Sequence, residues 1–218
     1  MVRIRNTAGV LAILAVAGVS SAEVILSYTY SDLSGSYDAG AGVYTAVADA
    51  RTSGDVTRLD GSPGTAEFNA GFAGSSLADF FLTINVTGND GSTADGAGSF
   101  VVTDTNGDTV EGDLVGTWIK GAFGTVFFNG HLSNVTVNDN SGDGSFDGAS
   151  AGSFSTDFSA YNSPFEGAIV ALYIHSASAF LTKDFSGVPA LVSAEIVPAP
   201  GVLALALAGG LVAVRRRR

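Results

Sequence analysis

The chain of 218 residues contains no cysteine. This absence excludes disulfide bonds, zinc sites built from thiolates and catalysis by a thiol. Exported domains commonly rely on disulfides for part of their stability. If this chain is exported, its fold must instead be stabilised by its hydrophobic core, by a metal ion or by partner molecules.

Basic residues are scarce in the body of the chain, which we define as residues 23–197. All twenty-one acidic residues lie there against four basic ones, so the difference of 21 − 4 gives a net charge of −17. The basic residues are Arg51, Arg58, Lys120 and Lys183. Such a charge repels nucleic acids and anionic membrane surfaces, and it attracts divalent cations. We therefore expect no nucleic-acid partner.

Strong helix formers such as Lys and Glu are also few, whereas glycine accounts for 29 residues, about twice its ordinary share. Short runs rich in Val, Phe, Thr and Tyr alternate with Gly, Asp, Asn and Ser. These runs predict strands at 23–30, 42–48, 65–70, 80–87, 99–105, 109–119, 125–129, 132–137, 153–158, 168–175, 177–182 and 191–197. Regularly spaced short strands predict an all-β fold, an antiparallel β-sandwich or jelly roll, as one domain over 23–197.

Residues 1–22 have the three-part pattern of a secretory signal peptide. Arg3 and Arg5 form a positive segment, residues 8–19 form an apolar stretch, and small residues follow as far as Ala22. The apolar stretch is too short for a membrane anchor. This pattern predicts an N-terminal signal helix, cleavage between Ala22 and Glu23, and export of the chain.

The last residues of the chain form a proline motif, an apolar stretch and a basic cluster. The apolar stretch at 202–214 would make a helix of about 20 Å, and counting from Val197 extends it to about eighteen residues, the lower limit for a membrane span. The chain ends on Arg215, Arg216, Arg217 and Arg218. Arginine clusters stay on the cytoplasmic side, so the pattern predicts a transmembrane helix that stops translocation and leaves the body outside.

This tail resembles the PEP-CTERM sorting signal of exported proteins of Gram-negative bacteria. The resemblance covers only residues 198–218 and includes the motif Pro198, Ala199 and Pro200, in which Ala199 stands where the family has glutamate. It implies cleavage near the proline motif by an exosortase, a membrane-bound cysteine transpeptidase. The family resemblance also implies delivery to the cell envelope, the outer surface or the extracellular matrix, where biofilm polysaccharide is a partner.

The clearest local prediction is a hairpin at Asn106-Gly107, between the predicted strands 99–105 and 109–119. An Asn-Gly pair between two strand-forming runs is typical of a type I′ turn, because both central residues of that turn need a positive φ. The same loop contains Asp104 and Asp108, whose carboxylates alternate along the chain with Asn106.

Two acidic loops are candidate calcium sites. The first is the hairpin loop 104–108, and the second contains Asp139, Ser141, Asp143 and Asp147. Oxygen-bearing side chains at alternate positions are typical of loops that bind hard cations. Neither loop has a carboxylate at its twelfth position, so neither has the bidentate ligand that completes such a loop. We therefore expect calcium to bind at the second loop rather than at the first.

Hydrolase motifs are present in part. Residues 148–152 fit the pattern G-x-S-x-G around Ser150, and Asp157 and His175 follow in hydrolase order. The nucleophile elbow requires a strand before the serine and a helix after it, whereas this sequence predicts a loop and a strand. The two histidines, His131 and His175, have no metal-ligand spacing. We therefore predict that the chain is not an enzyme.

Aromatic residues leave one alternative open. Trp118 with Tyr28, Tyr30, Tyr37 and Tyr44 could form a sugar-stacking face, although apolar neighbours favour a core position for Trp118. The acidic pair Glu111 and Asp113 could likewise resemble the two acids of a glycosidase, for which the distance in space is decisive.

The sequence as a whole predicts an exported protein with a structural or adhesive role in an exopolysaccharide layer, a role that rests on the family resemblance. The first alternative is a carbohydrate-binding module that uses exposed Tyr or Trp side chains, with structural calcium. The second alternative is a secreted glycosidase or esterase. A line of exposed aromatic rings would favour the carbohydrate-binding module, and aromatic rings confined to the core would favour the structural role.

Overall fold

The computed structural model describes residues 23–69, 79–149, 152–158, 164–175 and 179–199. These residues are all-β, apart from a 3-10 turn at Ala122–Gly124. The strands are β1 Leu26–Asp38, β2 Val43–Val47, β3 Ser53–Arg58, β4 Gly64–Phe68, β5 Phe80–Thr87, β6 Thr93–Thr103, β7 Thr109–Lys120, β8 Val126–Asn138, β9 Ser145–Asp147, β10 Ser153–Ser155, β11 Phe165–Ile174 and β12 Phe185–Val197. The predicted signal helix and apolar helix fall in 1–22 and 200–218, outside the described residues. Within the described part, no helix is both long and apolar enough to cross a membrane.

Eight strands form a closed antiparallel barrel in the order β1-β2-β5-β6-β7-β8-β11-β12. The barrel closes because β12 pairs with β1, with Leu26 opposite Ile196. The other edge of β1 is shared, since residues 26–31 pair with β3 and residues 34–38 pair with β2. The β3–β4 hairpin therefore extends from the barrel, and β9 pairs with β10 in a separate two-stranded sheet.

The antiparallel order places the loops at two ends of the barrel. One end, which we call the terminal end, carries the start of β1, the end of β12 and the loops 104–108 and 139–144. The opposite end carries the loops 39–42, 88–92 and 121–125. The first and last described residues are therefore neighbours, and Ile25 N–H donates to the Ile196 carbonyl at 3.0 Å.

Alternating side chains fill the barrel interior. The largest is Trp118, which is fully buried between the rings of Tyr44 at 5.1 Å and Phe128 at 4.9 Å between centroids. An eight-stranded barrel has room for such side chains but for little else. The predicted core position of Trp118 is confirmed. The alternative sugar-stacking face is wrong, because all five of its rings are buried: Trp118, Tyr28, Tyr30, Tyr37 and Tyr44.

The all-β, antiparallel prediction is confirmed, whereas the sandwich or jelly roll is not. Alternation identifies the buried face of a strand but does not show whether the outermost strands meet. The strand β3 was missed because Gly54 and Asp55 rarely occur in strands, and pairing with β1 overrides that preference. The strand predicted at 177–182 is wrong for 179–182, which form turns in which Phe180 and Leu181 have positive φ.

The hairpin at Asn106-Gly107 is confirmed, but its predicted turn type is wrong. Only Gly107 has a positive φ, at 94°. The Asp104 N–H donates to the Asp108 carbonyl at 2.9 Å, which leaves three residues at the tip. This geometry is that of a type I turn followed by a glycine bulge. The Asp104 carboxylate favours it, because Oδ1 accepts the N–H groups of Asn106 and Asp108.

Candidate functional site

The two acidic loops that the sequence treats as separate sites meet at the terminal end of the barrel. Asp108 comes from the β6–β7 loop, and Asp139 and Asp143 come from the loop after β8. One carboxylate oxygen from each of the three lies within 4.8 Å of the others. We call these three residues the acidic cluster. The loops meet because β7 pairs with β8, so that Thr109, directly after the first loop, lies opposite Asn138, directly before the second.

Asp104 lies next to the acidic cluster and fixes the backbone around it by hydrogen bonds. Its side chain is fully buried, and its two oxygens accept three backbone hydrogen bonds: Oδ1 from Asn106 at 2.8 Å and Asp108 at 2.9 Å, and Oδ2 from Asp147 at 2.8 Å. Burial raises the pKa of Asp104, and the three N–H donors oppose that shift. Asp104 therefore joins the hairpin loop to β9 and does not face a ligand.

Backbone and hydroxyl donors fix the carboxylates of the acidic cluster. Asp108 accepts from Ser141 twice, from the backbone N–H at 2.7 Å and from Oγ at 3.0 Å. Asp139 accepts from the N–H groups of Gly142 at 2.8 Å and Gly144 at 3.0 Å. The second loop consequently folds around its own aspartate. Both Asp108 oxygens and Asp139 Oδ2 accept one of these bonds each and keep a second lone pair, so the bonds do not prevent cation binding.

Asn106 joins the acidic cluster to Asp147. Its amide Nδ2 donates to Asp143 Oδ2 at 2.8 Å and to Asp147 Oδ2 at 3.0 Å. Burial, followed by the neighbouring charges of Asp143 and Asp108, raises the pKa of Asp147. Negative charge therefore accumulates here, since the carboxylates of Asp108, Asp139, Asp143 and Asp147 lie close together. Such a place favours a divalent cation electrostatically.

The predicted calcium residues divide into two groups. Asp139 and Asp143 belong to the acidic cluster, whereas Ser141 donates to Asp108 and Asp147 is linked to Asp143 through the shared amide of Asn106. In the sequence, Asp108 belongs to the other candidate loop, and the strand pairing that brings the loops together could have been inferred from the predicted strands 109–119 and 132–137. With one oxygen each, the three carboxylates supply three of the six to eight oxygens that calcium takes. Backbone carbonyls and water would complete the shell.

The other candidate catalytic residues do not form a site that the structure describes. Ser150, the serine of the G-x-S-x-G pattern, lies outside the described residues. His131 is opposite Val115 on the β7–β8 pair, and His175 packs edge-on against Tyr173 at 4.9 Å. Within the described ranges, neither histidine belongs to a group of three or more potential metal ligands.

The predicted processing residues are described only in part. Glu23 is exposed, Pro198 is buried and Ala199 is half-buried, whereas Ala22, Pro200 and the arginine cluster lie outside the described residues. The two predicted cuts therefore flank β1 and β12 without entering either strand.

Comparison with protein-family models, with curated proteins and with solved structures finds no match for this chain. The functional interpretation therefore rests on the fold, on the contacts described above and on the resemblance of the tail.

Proposed function

We propose that this protein is exported and sorted to the cell surface or extracellular matrix of a Gram-negative-type bacterium through its C-terminal tail. Its role there is structural or adhesive within a polysaccharide layer, and it is not an enzyme. One observation supports this most: the barrel is complete within residues 23–197, and both predicted cuts lie just outside it.

The position of the chain ends makes sorting compatible with folding. β1 begins three residues after the predicted signal cleavage, and β12 ends one residue before Pro198. These two strands pair with each other, so both targeting segments leave the same end of the barrel. Their removal deletes no strand of the closed ring. A fold of this kind can mature while its tail is still held in the membrane.

The proposed sorting mechanism uses the three parts of the tail in order. The helix at 202–214 enters the membrane, and the four terminal arginines stop translocation because moving charges across the bilayer is costly. An exosortase-type transpeptidase then cuts near Pro200. The acidic body has no attraction for anionic lipid headgroups, so release from the membrane follows the cut.

The arginine cluster provides the first test, in a Gram-negative host that expresses an exosortase. Replacing Arg215–Arg218 by four serines is expected to reduce processing about tenfold or more, because the stop-transfer charge is lost. Replacing them by four lysines keeps the charge and is the matched control. Immunoblots of membrane and surface fractions measure the ratio of processed to unprocessed chain. Equal processing of the serine and wild-type chains would contradict the proposal.

We also propose calcium as a structural ligand of the acidic cluster, because carboxylates from two separate loops converge there. A cation would relieve the repulsion among Asp108, Asp139 and Asp143, and it would join the β6–β7 loop to the loop after β8. In this role calcium stabilises the terminal end of the barrel and performs no chemistry.

Calcium at roughly 100 times its dissociation constant should raise the Tm by about 5 °C or more. The Asp139→Asn/Asp143→Asn variant should lose that rise, because two of the three charged ligands are gone. The Asp95→Asn variant, which changes an exposed aspartate on β6, is the control and should keep it. Thermal unfolding in calcium and in chelator measures both. The calcium proposal would be contradicted if calcium did not change the Tm of the wild type, or if it raised the Tm of the wild type and both variants equally.

A further inference from the structure

A groove of about 390 Å³ lies on the outer surface of β5, β6, β7 and β8. Its walls combine the exposed aromatic ring of Phe81 with acidic, amide and hydroxyl groups, which belong to Ser99, Glu111, Asp113, Asn134 and Thr136. This groove is separate from the acidic cluster, with which it shares no residue. Its volume is within the ordinary range of about 300–1,000 Å³ for small-molecule sites.

Strand register brings these side chains together. Phe81 lies opposite Val101, which lies opposite Glu111, and Glu111 lies opposite Thr136. In the next outward-facing row, Ser99 lies opposite Asp113. Residues opposite one another on one face have Cβ atoms about 5 Å apart, so each row is continuous across the strands.

A β-bulge produces the depression. The register of β7 and β8 shifts between Glu111 and Asp113, and Asn134 on β8 has a positive φ of 53°. Gly112 allows the strands to approach, because a Cβ there would lie 2.9 Å from Val135 Cγ2 and 3.1 Å from the Ser133 carbonyl oxygen. Bulges redirect side chains and are common beside binding sites. A non-glycine residue with left-handed backbone geometry is likewise common at functional positions.

Hydrogen bonds orient the carboxylates of Glu111 and Asp113 and leave part of their acceptor capacity free. Asn134 Nδ2 donates to Asp113 Oδ2 at 2.8 Å, and Asn138 Nδ2 donates to Glu111 Oε1 at 3.0 Å. Each of these two bonds engages one oxygen of its carboxylate, and a carboxylate has about four acceptor positions. Two oriented acceptors therefore face the groove beside the ring of Phe81, which is 41 % exposed.

We propose that this groove binds a pyranose unit of a neutral or amino-substituted glycan. One face of a pyranose ring carries C–H groups that pack on an aromatic ring, and its hydroxyl groups donate to carboxylates and amides. The groove offers both kinds of partner within one concave surface. Glycans built from uronic acids are disfavoured, because Glu111, Asp113 and the net charge of the body repel them.

The groove gives the proposed adhesive role a ligand class, and in that respect it rests on the proposed function. The two ideas are nevertheless tested separately. Sorting depends on the tail, whereas glycan binding is measured on purified protein and does not require processing.

The test measures binding of three oligosaccharides to the full chain in a detergent without a sugar headgroup. The probes are cellohexaose as the neutral glycan, chitosan hexamer as the amino-substituted one and oligogalacturonate as the anionic one. Phe81→Ala should weaken binding of the neutral or the amino-substituted probe about tenfold, because the stacking surface is lost. Phe127→Ala is the matched control, since that ring is 42 % exposed on the same barrel but lies outside the groove.

Charge is tested by the Glu111→Gln/Asp113→Asn variant, which keeps the carbonyl acceptors. It should weaken binding of cellohexaose modestly, because the hydroxyl groups lose charge-assisted hydrogen bonds, and it should weaken binding of the cationic chitosan hexamer more, because the chitosan ammonium groups also lose their attraction to the two carboxylates. Unfolding curves confirm that each variant is folded. The proposal is overturned if the wild-type chain binds neither cellohexaose nor chitosan hexamer, if Phe81→Ala and Phe127→Ala behave alike, or if oligogalacturonate binds best.

Discussion

Replacing Trp118 by alanine is expected to lower the free energy of unfolding by about 4 kcal/mol, because it leaves a cavity in the centre of the barrel. The Trp118 side chain is fully buried and contacts the rings of Tyr44 and Phe128. These two rings cannot move into the cavity, because the pairing of their strands holds them in place. Denaturant unfolding of the two proteins measures the difference. The Tm should fall by roughly 12 °C.

Phe123→Ala is the matched control for the tryptophan substitution. Phe123 lies in the turn between β7 and β8 and is fully exposed. Its removal should change the free energy of unfolding by no more than about 0.5 kcal/mol. If the two substitutions had similar effects, the indole of Trp118 would not lie in the core and the closed, filled barrel would be wrong.

The second large effect concerns pH and Asp79, which directly precedes β5. Asp79 is buried, and within the described residues its Oδ1 has no hydrogen-bond partner. Burial raises the pKa of Asp79 to about 7, and backbone N–H donors only partly oppose that shift. A folded-state pKa above the unfolded value means that the folded chain holds its proton more tightly. The contribution of Asp79 is therefore most favourable at low pH and is lost as the pH rises.

The expected result is a loss of up to about 3 kcal/mol of stability from Asp79 between about pH 4 and pH 7. Asp79→Asn removes the charge, so above that range the variant should be more stable than the wild type. Urea unfolding of both proteins across the range measures the difference, with Asp184→Asn as the exposed control. If the wild type and Asp79→Asn gave parallel pH profiles, Asp79 would not be a buried, unpaired acid.

The sequence predicted the strands well where side chains alternate between apolar and polar. β5 was predicted with the observed bounds, and the predicted ends of β2 and β7 differ from the observed ends by one residue. Burial of one face dictates this alternation, so it can be seen in a single sequence. β8 was predicted as two strands, because Gly130 and His131 interrupt its run of strand-forming residues.

Closure of the barrel could not be predicted in the same way. It depends on pairing between β1 and β12, which are separated by almost the whole chain. Local propensity contains no information on such a contact, and the same alternation occurs in sandwiches and barrels. The β3 strand shows the same limit, because its pairing with β1 outweighs a composition unfavourable to strands.

The acidic residues were recognised, but their grouping was not. The sequence assigned Asp108 to one loop and Asp139 and Asp143 to another, and the register of β7 with β8 combines them. The groove beside Phe81 was not predicted at all. Its residues come from four strands, and neither Gly112 nor Asn134 indicates a bulge without knowledge of its partner strand.

The intact mass of the exported protein tests the central claim most directly, since the claim is that both ends are removed and the barrel remains. We expect one species that begins at Glu23 and ends within a few residues of Ala199, with the four terminal arginines absent. A species from the cell surface that still extends from Met1 to Arg218 would contradict it.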